Sequence, residues 1–241
     1  MGSVRQFAAL LFIIALPVAL VTTNVRVAVN EPRVYEYAVD HYHTDATTGI
    51  QRPELLRASG ELRDYFNGGD DGPVFIRVRR GNELISLFNQ RETAHLQDVR
   101  SLFQTTFRVQ EVAVVFVLAY IVLVFVWARE GTVRSLATQV LASGVLSLVV
   151  IGVVGGIAVA GFDEAFEQFH LVAFDNDLWQ LDPDRDRLIQ MFPEDFWRDI
   201  TVLVGFGTLL ELGLLAVASA AYLGFTHAET ATLALPEGAR V

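Results

Sequence analysis

Four long, predominantly apolar stretches, near residues 7–27, 109–128, 136–159 and 200–223, constrain this chain more than any other feature. Each holds about 20 residues, the length at which an α-helix covers the ~30 Å hydrocarbon core of a bilayer. Backbone groups inside hydrocarbon must satisfy one another, so runs of that length are expected as helices. With 52% hydrophobic and 19% charged residues, the chain falls in the membrane class. The expected fold is a mainly α membrane protein, with four transmembrane helices and a small extracytoplasmic α+β cap. The first run has Arg5 before an apolar core, as a signal peptide does. The segment Val25-Arg-Val-Ala-Val-Asn30 is only a weak cleavage site, so a retained helix is expected. Pro17 within it predicts a kink that neighbouring helices can accommodate.

Orientation follows from arginines near the short loops. Arg5 precedes the first run, and Arg129 and Arg134 occupy the short link between the second and third. The segment 162–199 is acidic, with Asp163, Glu164, Glu167, Asp175, Asp177, Asp182 and Asp184 among its carboxylates. Both termini are therefore expected in the cytoplasm and both long connections outside. The whole chain is expected as a single membrane domain of residues 1–241, with a cap at about 28–108 and an interfacial segment at about 162–199. The protein is expected to be multi-pass, with both long connections on the extracytoplasmic side of its membrane.

Composition excludes several functions. All 18 basic residues are arginine, against 28 acids, a net charge of −10, so there is no nucleic-acid footprint. With no cysteine there is no disulfide, no thiolate zinc site, no cysteine nucleophile and no self-acylated lipoprotein anchor.

The cap is long enough for structure of its own. Leu55, Leu56, Leu62 and Phe66 predict a helix over Arg52–Asn67, ended by Asn67-Gly-Gly-Asp. Val74, Ile76 and Val78 alternate with Phe75, Arg77 and Arg79. A turn at Arg80-Gly-Asn leads into Leu84, Ser86 and Phe88, so Val74–Phe88 reads as a β-hairpin. Tyr35, Tyr37 and Val39 predict a further strand over Val34–Tyr42. Asn89 and Glu92 then form a capping box that opens a helix. On that helix Glu92, His95 and Asp98 share one broad face, and a carboxylate there can fix the imidazole tautomer.

The second outer segment is aromatic: Phe166, Phe169, Phe174, Trp179, Phe192, Phe196 and Trp197, as expected at headgroup level. Phe166, Phe169, His170 and Phe174 recur at helical spacing. Asp182-Pro-Asp is a turn, and Leu188–Met191 leads to Pro193 at the start of the last helix. His95 and His170 are thus candidates to meet on one side of the membrane, where neutral imidazole can take and give a proton. His95 precedes the second run by fourteen residues, about 20 Å in a straight helix. A tilt, with a bend at Gln104-Thr-Thr106, is expected to bring it down.

Other residues have two readings. Arg91, Glu92, Asp98 and Arg100 either support His95 or form a charged helix face, and Asp175, Asn176 and Trp179 stand in the same position beside His170. His41 and His43 form a His-x-His pair, expected as a solvated element rather than a metal site. Glu211 is an intramembrane carboxylate that either lines a pathway or meets a polar partner. Gly152 and Gly156 are expected as close helix contacts, and His227 as incidental.

The histidine segments carry a resemblance. Phe88-Asn-Gln-Arg-Glu-Thr-Ala-His95-Leu-Gln-Asp98-Val-Arg, Phe169-His170 with Phe174, Trp179-Gln-Leu-Asp-Pro, Leu188-Ile and Phe192-Pro-Glu-Asp-Phe-Trp197 resemble the signatures of a bacterial family of four-helix membrane proteins. These are the lipoprotein intramolecular transacylases (Lit), and the spans and their spacing match as well. The resemblance implies that the sn-2 acyl chain of a diacylglyceryl lipoprotein moves to the α-amino group of its N-terminal cysteine, giving an N-acyl lyso-lipoprotein. It implies a bacterial cytoplasmic membrane, a site on its extracytoplasmic side, and His95 and His170 as the catalytic pair; Arg91, Glu92, Asp98, Asp175, Asn176 and Trp179 are expected beside them as supporting residues. It implies no cofactor and no metal, and partners limited to diacylglyceryl lipoproteins and membrane lipid. Which histidine is the base is not legible. Two other functions fit the residues: a metal-dependent membrane hydrolase using His41, His43, His95 and His170, and a non-catalytic receptor or assembly factor.

Overall fold

In a computed structural model, residues 2–68, 72–126 and 130–233 are described. The eleven elements among them run in chain order α1 (Gly2–Asn30), α2 (Pro32–His41), α3 (Thr44–Thr48), α4 (Arg52–Asn67), β1 (Arg77–Arg80), β2 (Glu83–Ser86), α5 (Gln90–Val126), α6 (Glu130–Ala160), α7 (Phe162–Ala173), α8 (Arg187–Met191) and α9 (Glu194–Leu233). Four helices among the described residues are long and apolar enough to cross a membrane: Ser3–Asn30, Gln90–Val126, Val133–Ile157 and Glu194–His227. Each expected span falls on one of these, although 127–128 of the second lie outside the described residues, as do Gly69 and Asp70 of the expected α4 stop and Arg129 of the orientation argument. Pro17 sits inside an unbroken α1.

The chain divides into two compact units. The first comprises residues 1–22, 109–153 and 205–241. Its small core gathers Phe12, Leu16, Ala19, Ala113, Val117 and Leu212, with Phe12 stacked on Tyr120 at 4.7 Å between ring centroids. The Tyr120 hydroxyl donates to Gln139 at 2.9 Å, satisfying both polar groups within the bundle. Outward, Val112, Val115, Val149, Leu214 and Val217 are exposed. A face so apolar is stable only with hydrocarbon around it, and this is a multi-pass membrane protein. Gly152 here, and Gly156 in the second unit, are not close-packing positions, because a Cβ on either would meet nothing within 4 Å among the described residues. Gly205 is closer to that role, with Ile151 3.6 Å from where its Cβ would lie. Glu211 is partly buried and has an interaction partner.

The second unit comprises residues 23–108 and 154–204. Its core is continuous from Tyr35, Ala38 and Val39 through Leu55, Ala58, Leu62 and Phe66 to Val74, Ile76, Val78, Leu87, Leu96, Leu188, Met191 and Phe192. Residues 34–41 are helical, not a strand. Tyr35 and Val39 fit either period, but Tyr37 is exposed, and Ala38 completes the helical set at i, i+3, i+4. Pro32 in the first turn and the Glu31 carboxylate accepting from the Arg33 amide start that helix. The expected α4 is present over its full length, burying Leu55, Ala58, Ser59, Leu62 and Phe66.

The hairpin is present but shorter than expected, pairing Arg77 with Ser86 through Arg80 with Glu83. Gly81, at φ 61°, supplies the left-handed turn residue that a side chain would disfavour. Val74, Ile76 and Val78 point inward, and Phe75 outward, as alternation requires. On the returning strand Leu84 is exposed, and Ile85 and Leu87 take the inner face instead.

Candidate active site

The capping box sets the start of α5. The Glu92 carboxylate accepts from the Asn89 amide at 2.7 Å, and the Asn89 side-chain oxygen accepts from the Glu92 amide at 3.0 Å. The second oxygen of Glu92 accepts from the Leu188 amide at 2.6 Å. Glu92 is only 1% exposed, and burial pushes its carboxyl up while the two amides pull it back. Glu92 therefore fastens α5 to the start of α8 and does not orient His95, contrary to the expectation that a carboxylate fixes that tautomer.

More bonds join α5 to the 176–187 segment. The Asn89 amide group donates to Asp186 at 2.7 Å, and the other Asp186 oxygen accepts from the Asp182 amide at 2.7 Å. Asn176 donates to Asp98 at 2.9 Å. Arg91 donates to the Asp177 carbonyl at 2.5 Å and the Leu178 carbonyl at 3.4 Å. Arg91 and Asp98 lie four residues before and three after His95, so they grip the Asn176–Leu178 turn from either side of it. Arg187 donates to the Ser86 and Leu87 carbonyls, each at 3.1 Å, tying the same segment to β2. Arg100 donates to the Gly68 carbonyl at 2.6 Å and lies over the Tyr65 ring, a packing role away from the imidazoles.

Within this frame His95 and His170 come together, with ring centroids 6.0 Å apart and the rings tilted by 37°. Both are buried. α5 runs unbroken through Gln104–Thr106, so no break in α5 accompanies their approach. α7 is a separate helix, set off from α6 by Gly161, and it carries His170 in its last turn. Phe174 lies edge-on to His95 at 5.1 Å and 5.6 Å from His170. Trp179 stacks on His170 at 4.9 Å, and Phe166 lies 4.3 Å from it on the same helix.

The ring nitrogens are distinct. His170 Nδ1 lies 2.7 Å from the Phe166 carbonyl, which can only accept, so Nδ1 carries the proton and the Nε2 lone pair is left for other chemistry. His95 Nδ1 and Trp179 Nε1 are buried and find no hydrogen-bond partner among the described residues. Burial, helped by the neighbouring His170 and opposed by Asp98, lowers His95 to about 4. Burial also lowers His170, against the Phe166 hydrogen bond. At neutral pH both rings are uncharged. The site can thus accept a proton at one imidazole while a neutral N–H beside it stabilises a developing negative charge.

Not every candidate is here. Asp175 is exposed and makes no hydrogen bond or ion pair among the described residues. His41 stacks on Tyr37 at 4.7 Å, and His43 is the exposed left-handed residue before α3. Among the described residues no three His, Cys, Asp or Glu side chains gather as metal ligands, so the set His41, His43, His95 and His170 is not assembled. His227 lies 3.3 Å from Arg134, in the other unit. The Asp186–Asn89 bond was not foreseen, since nothing local pairs residues 97 positions apart.

Residues 10–197 match the family described as lipoprotein intramolecular transacylase Lit. An uncharacterised protein of Aquifex aeolicus is 25% identical over 209 residues, covering 86% of this chain and 90% of that protein. The membrane-integral lipoprotein intramolecular transacylase of Bacillus cereus has a similar fold, with a TM-score of 0.73 at 16% identity, over 95% of this chain and all of that one. A form of it carrying a histidine-to-arginine substitution gives 0.74 at 16% identity, over 95% and 96% of the two chains. The family match spans more than three quarters of the sequence, and this chain belongs to the lipoprotein intramolecular transacylase family.

Proposed function

We propose that this member of the family moves the sn-2 acyl chain of a diacylglyceryl lipoprotein to the α-amino group of the lipoprotein's own N-terminal cysteine, using His95 and His170 and no metal. The observation that carries the reading is the meeting of two buried neutral imidazoles at 6.0 Å, one with its tautomer fixed by the Phe166 carbonyl. The free amine, formed when the ammonium gives its extra proton to solvent, attacks the ester carbonyl carbon. The acyl carbon–oxygen bond then breaks, an N–H proton passes to the leaving glyceryl oxygen, and an amide and an alcohol result.

His170 Nε2 is the base that takes the amine proton and returns it to the leaving oxygen. His95, held neutral by burial, donates to the carbonyl oxygen as its charge grows. Trp179 Nε1 is a donor of the same kind, and a buried donor without an acceptor costs about 1–3 kcal/mol, which an ester oxygen relieves. Arg91, Asp98 and Asn176 hold the turn that carries Trp179, Glu92 anchors α5, and Asp175 stays exposed beside Phe174. Donor and acceptor belong to one molecule, so positioning alone supplies much of the rate. The enzyme works in the bacterial cytoplasmic membrane with both termini inside and this site outside, as Arg5, Arg129 and Arg134 favour.

The test expresses wild type, His95→Ala and His170→Ala in cells lacking the activity and reads lipoprotein N-terminal peptides by mass spectrometry. Wild type should give the N-acyl lyso-glyceryl form and each variant should lose ~10² to 10⁴-fold in rate. Wild-type product levels from both variants would remove the histidine mechanism. Diacylglyceryl peptide alone from wild type would remove the reaction.

A further inference from the structure

α7 has an apolar stripe whose use the reaction chemistry does not explain. At about 100° per residue, Phe162, Phe166, Phe169 and Val172 lie along one side of the helix, while Asp163, Glu164 and Glu167 lie on the other. Phe162 and Phe166 are half-buried and 5.9 Å apart, and Phe166 stands against His170. Phe169 is 50% exposed and Val172 87% exposed, although both flank a buried histidine. Val154 and Ile157, on the span Val133–Ile157, are also more than half exposed, and only Gly161 separates α6 from α7. Apolar surface is therefore exposed both near the end of a membrane-spanning helix and along α7 beside the Nε2-bearing ring. Nothing in water would retain it, since exposed contiguous apolar surface is a binding surface or a liability.

We infer that this stripe seats an acyl chain of the lipidated substrate, drawing it out of the bilayer along Phe162, Phe166, Phe169 and Val172 so that its ester arrives at His170. The inference rests on the proposed reaction and adds the chain's binding site and a source of chain-length preference. A chain lying on α7 keeps its methylenes against phenylalanine rings while its ester leaves the hydrocarbon. That resolves how a lipid ester reaches a histidine on a helix beyond the membrane span. Leu171 is a built-in comparison, 52% exposed yet on the opposite side of the helix.

The test measures wild type, Val172→Ser, Phe169→Ser and Leu171→Ser on two diacylglyceryl lipopeptides, one with sixteen-carbon and one with eight-carbon chains. The ratio of long-chain to short-chain kcat/KM should fall about tenfold for Val172→Ser and Phe169→Ser, the scale of losing a few apolar contacts to a substrate. It should not move for Leu171→Ser. An unchanged ratio in the first two, or an equal fall in all three, overturns the inference. A binding arm is independent of turnover: a lipopeptide with a diazirine on one acyl chain is photolysed with wild type in nanodiscs. Labelling on Phe169 and Val172 that excess lipopeptide removes, and excess phospholipid does not, supports the seat. Labelling removed equally by phospholipid overturns it as ordinary bilayer contact. If wild type turns over neither lipopeptide, the proposed reaction fails while the labelling still decides the acyl seat.

Discussion

Replacing Glu92 should loosen the whole attachment of the second outer segment, and by an amount the geometry sets. Its two carboxylate oxygens each accept one backbone N–H, from Asn89 at 2.7 Å and from Leu188 at 2.6 Å, in a site where the residue is 1% exposed. Glu92→Ala leaves the Leu188 amide buried without an acceptor, about 1–3 kcal/mol. It also removes half of the capping box, about 1 kcal/mol more. The vacated volume adds a cavity cost, so the loss should total about 3–5 kcal/mol. Glu92→Gln keeps the shape and one carbonyl acceptor but turns an NH2 toward the other amide. It also no longer buries a charge, so its loss should be about 1–2 kcal/mol.

Hydrogen exchange in nanodiscs reads this directly, because the Leu188 amide is itself the donor. Each ~1.4 kcal/mol is about a factor of ten. Exchange at Leu188 should rise about 10² to 10³-fold in Glu92→Ala and about 10-fold in Glu92→Gln, with amides elsewhere in α4 unchanged. Exchange within threefold of wild type in Glu92→Ala would mean that this carboxylate does not hold α8. A glutamine variant looser than the alanine variant would refute the premise that unsatisfied amides carry the cost.

Burial holds His95 at about 4, so acid should cost stability where the unfolded chain binds a proton and the folded one does not. The penalty is absent above pH 6.5, grows as pH falls through 6.5, and saturates below about 4 at roughly 3 kcal/mol; His95→Asn should flatten that part of a melting-temperature profile. Burial lowers His170 as well, so its ring, assigned in NMR spectra by comparison with His170→Ala, should titrate below the ~6.5 of a free imidazole; a midpoint above 7 would contradict the burial argument. Asn176→Ala frees the turn from Asp98 and should cut kcat severalfold while raising Trp179 mobility, read as fluorescence anisotropy in a Trp127→Phe, Trp197→Phe background. Reporter fusions at Gly131 and in the tail should report inside, and those at Asp71 and Asp184 outside; a Gly131 fusion reporting outside would invert the topology.

What the sequence made legible was whatever short-range pattern decides. The capping box at Asn89 and Glu92, the helix over 52–67 and the turn at Gly81 each depend on residues within a few positions of one another. The spans depend on length and polarity alone. Over residues 34–42, Tyr35 and Val39 fit a two-residue and a 3.6-residue period equally, and the exposure of Tyr37 with the burial of Ala38 separates the two. Helical spacing offers Glu92 either to His95 or to a charged helix face, whereas a distant donor, the Leu188 amide, claims its oxygen. Gly152 and Gly156 were read as contacts from spacing, but no neighbour approaches them. Tertiary partners do not appear in local pattern.

The histidines meet without a break in α5, which is helical throughout from Gln90 to Val126, Gln104–Thr106 included. The interruption falls instead at Gly161, where α6 ends and α7 begins within one residue. α7 then brings His170 up to meet a ring already fixed on α5. The opposite side of the pair is closed by the 176–187 segment, pinned by Arg91, Asp98, Asn89 and Glu92, all from the first three turns of α5 or its cap. One rigid helix end therefore carries His95 and also the groups that hold the loop over His170. Such an arrangement keeps two neutral imidazoles in register.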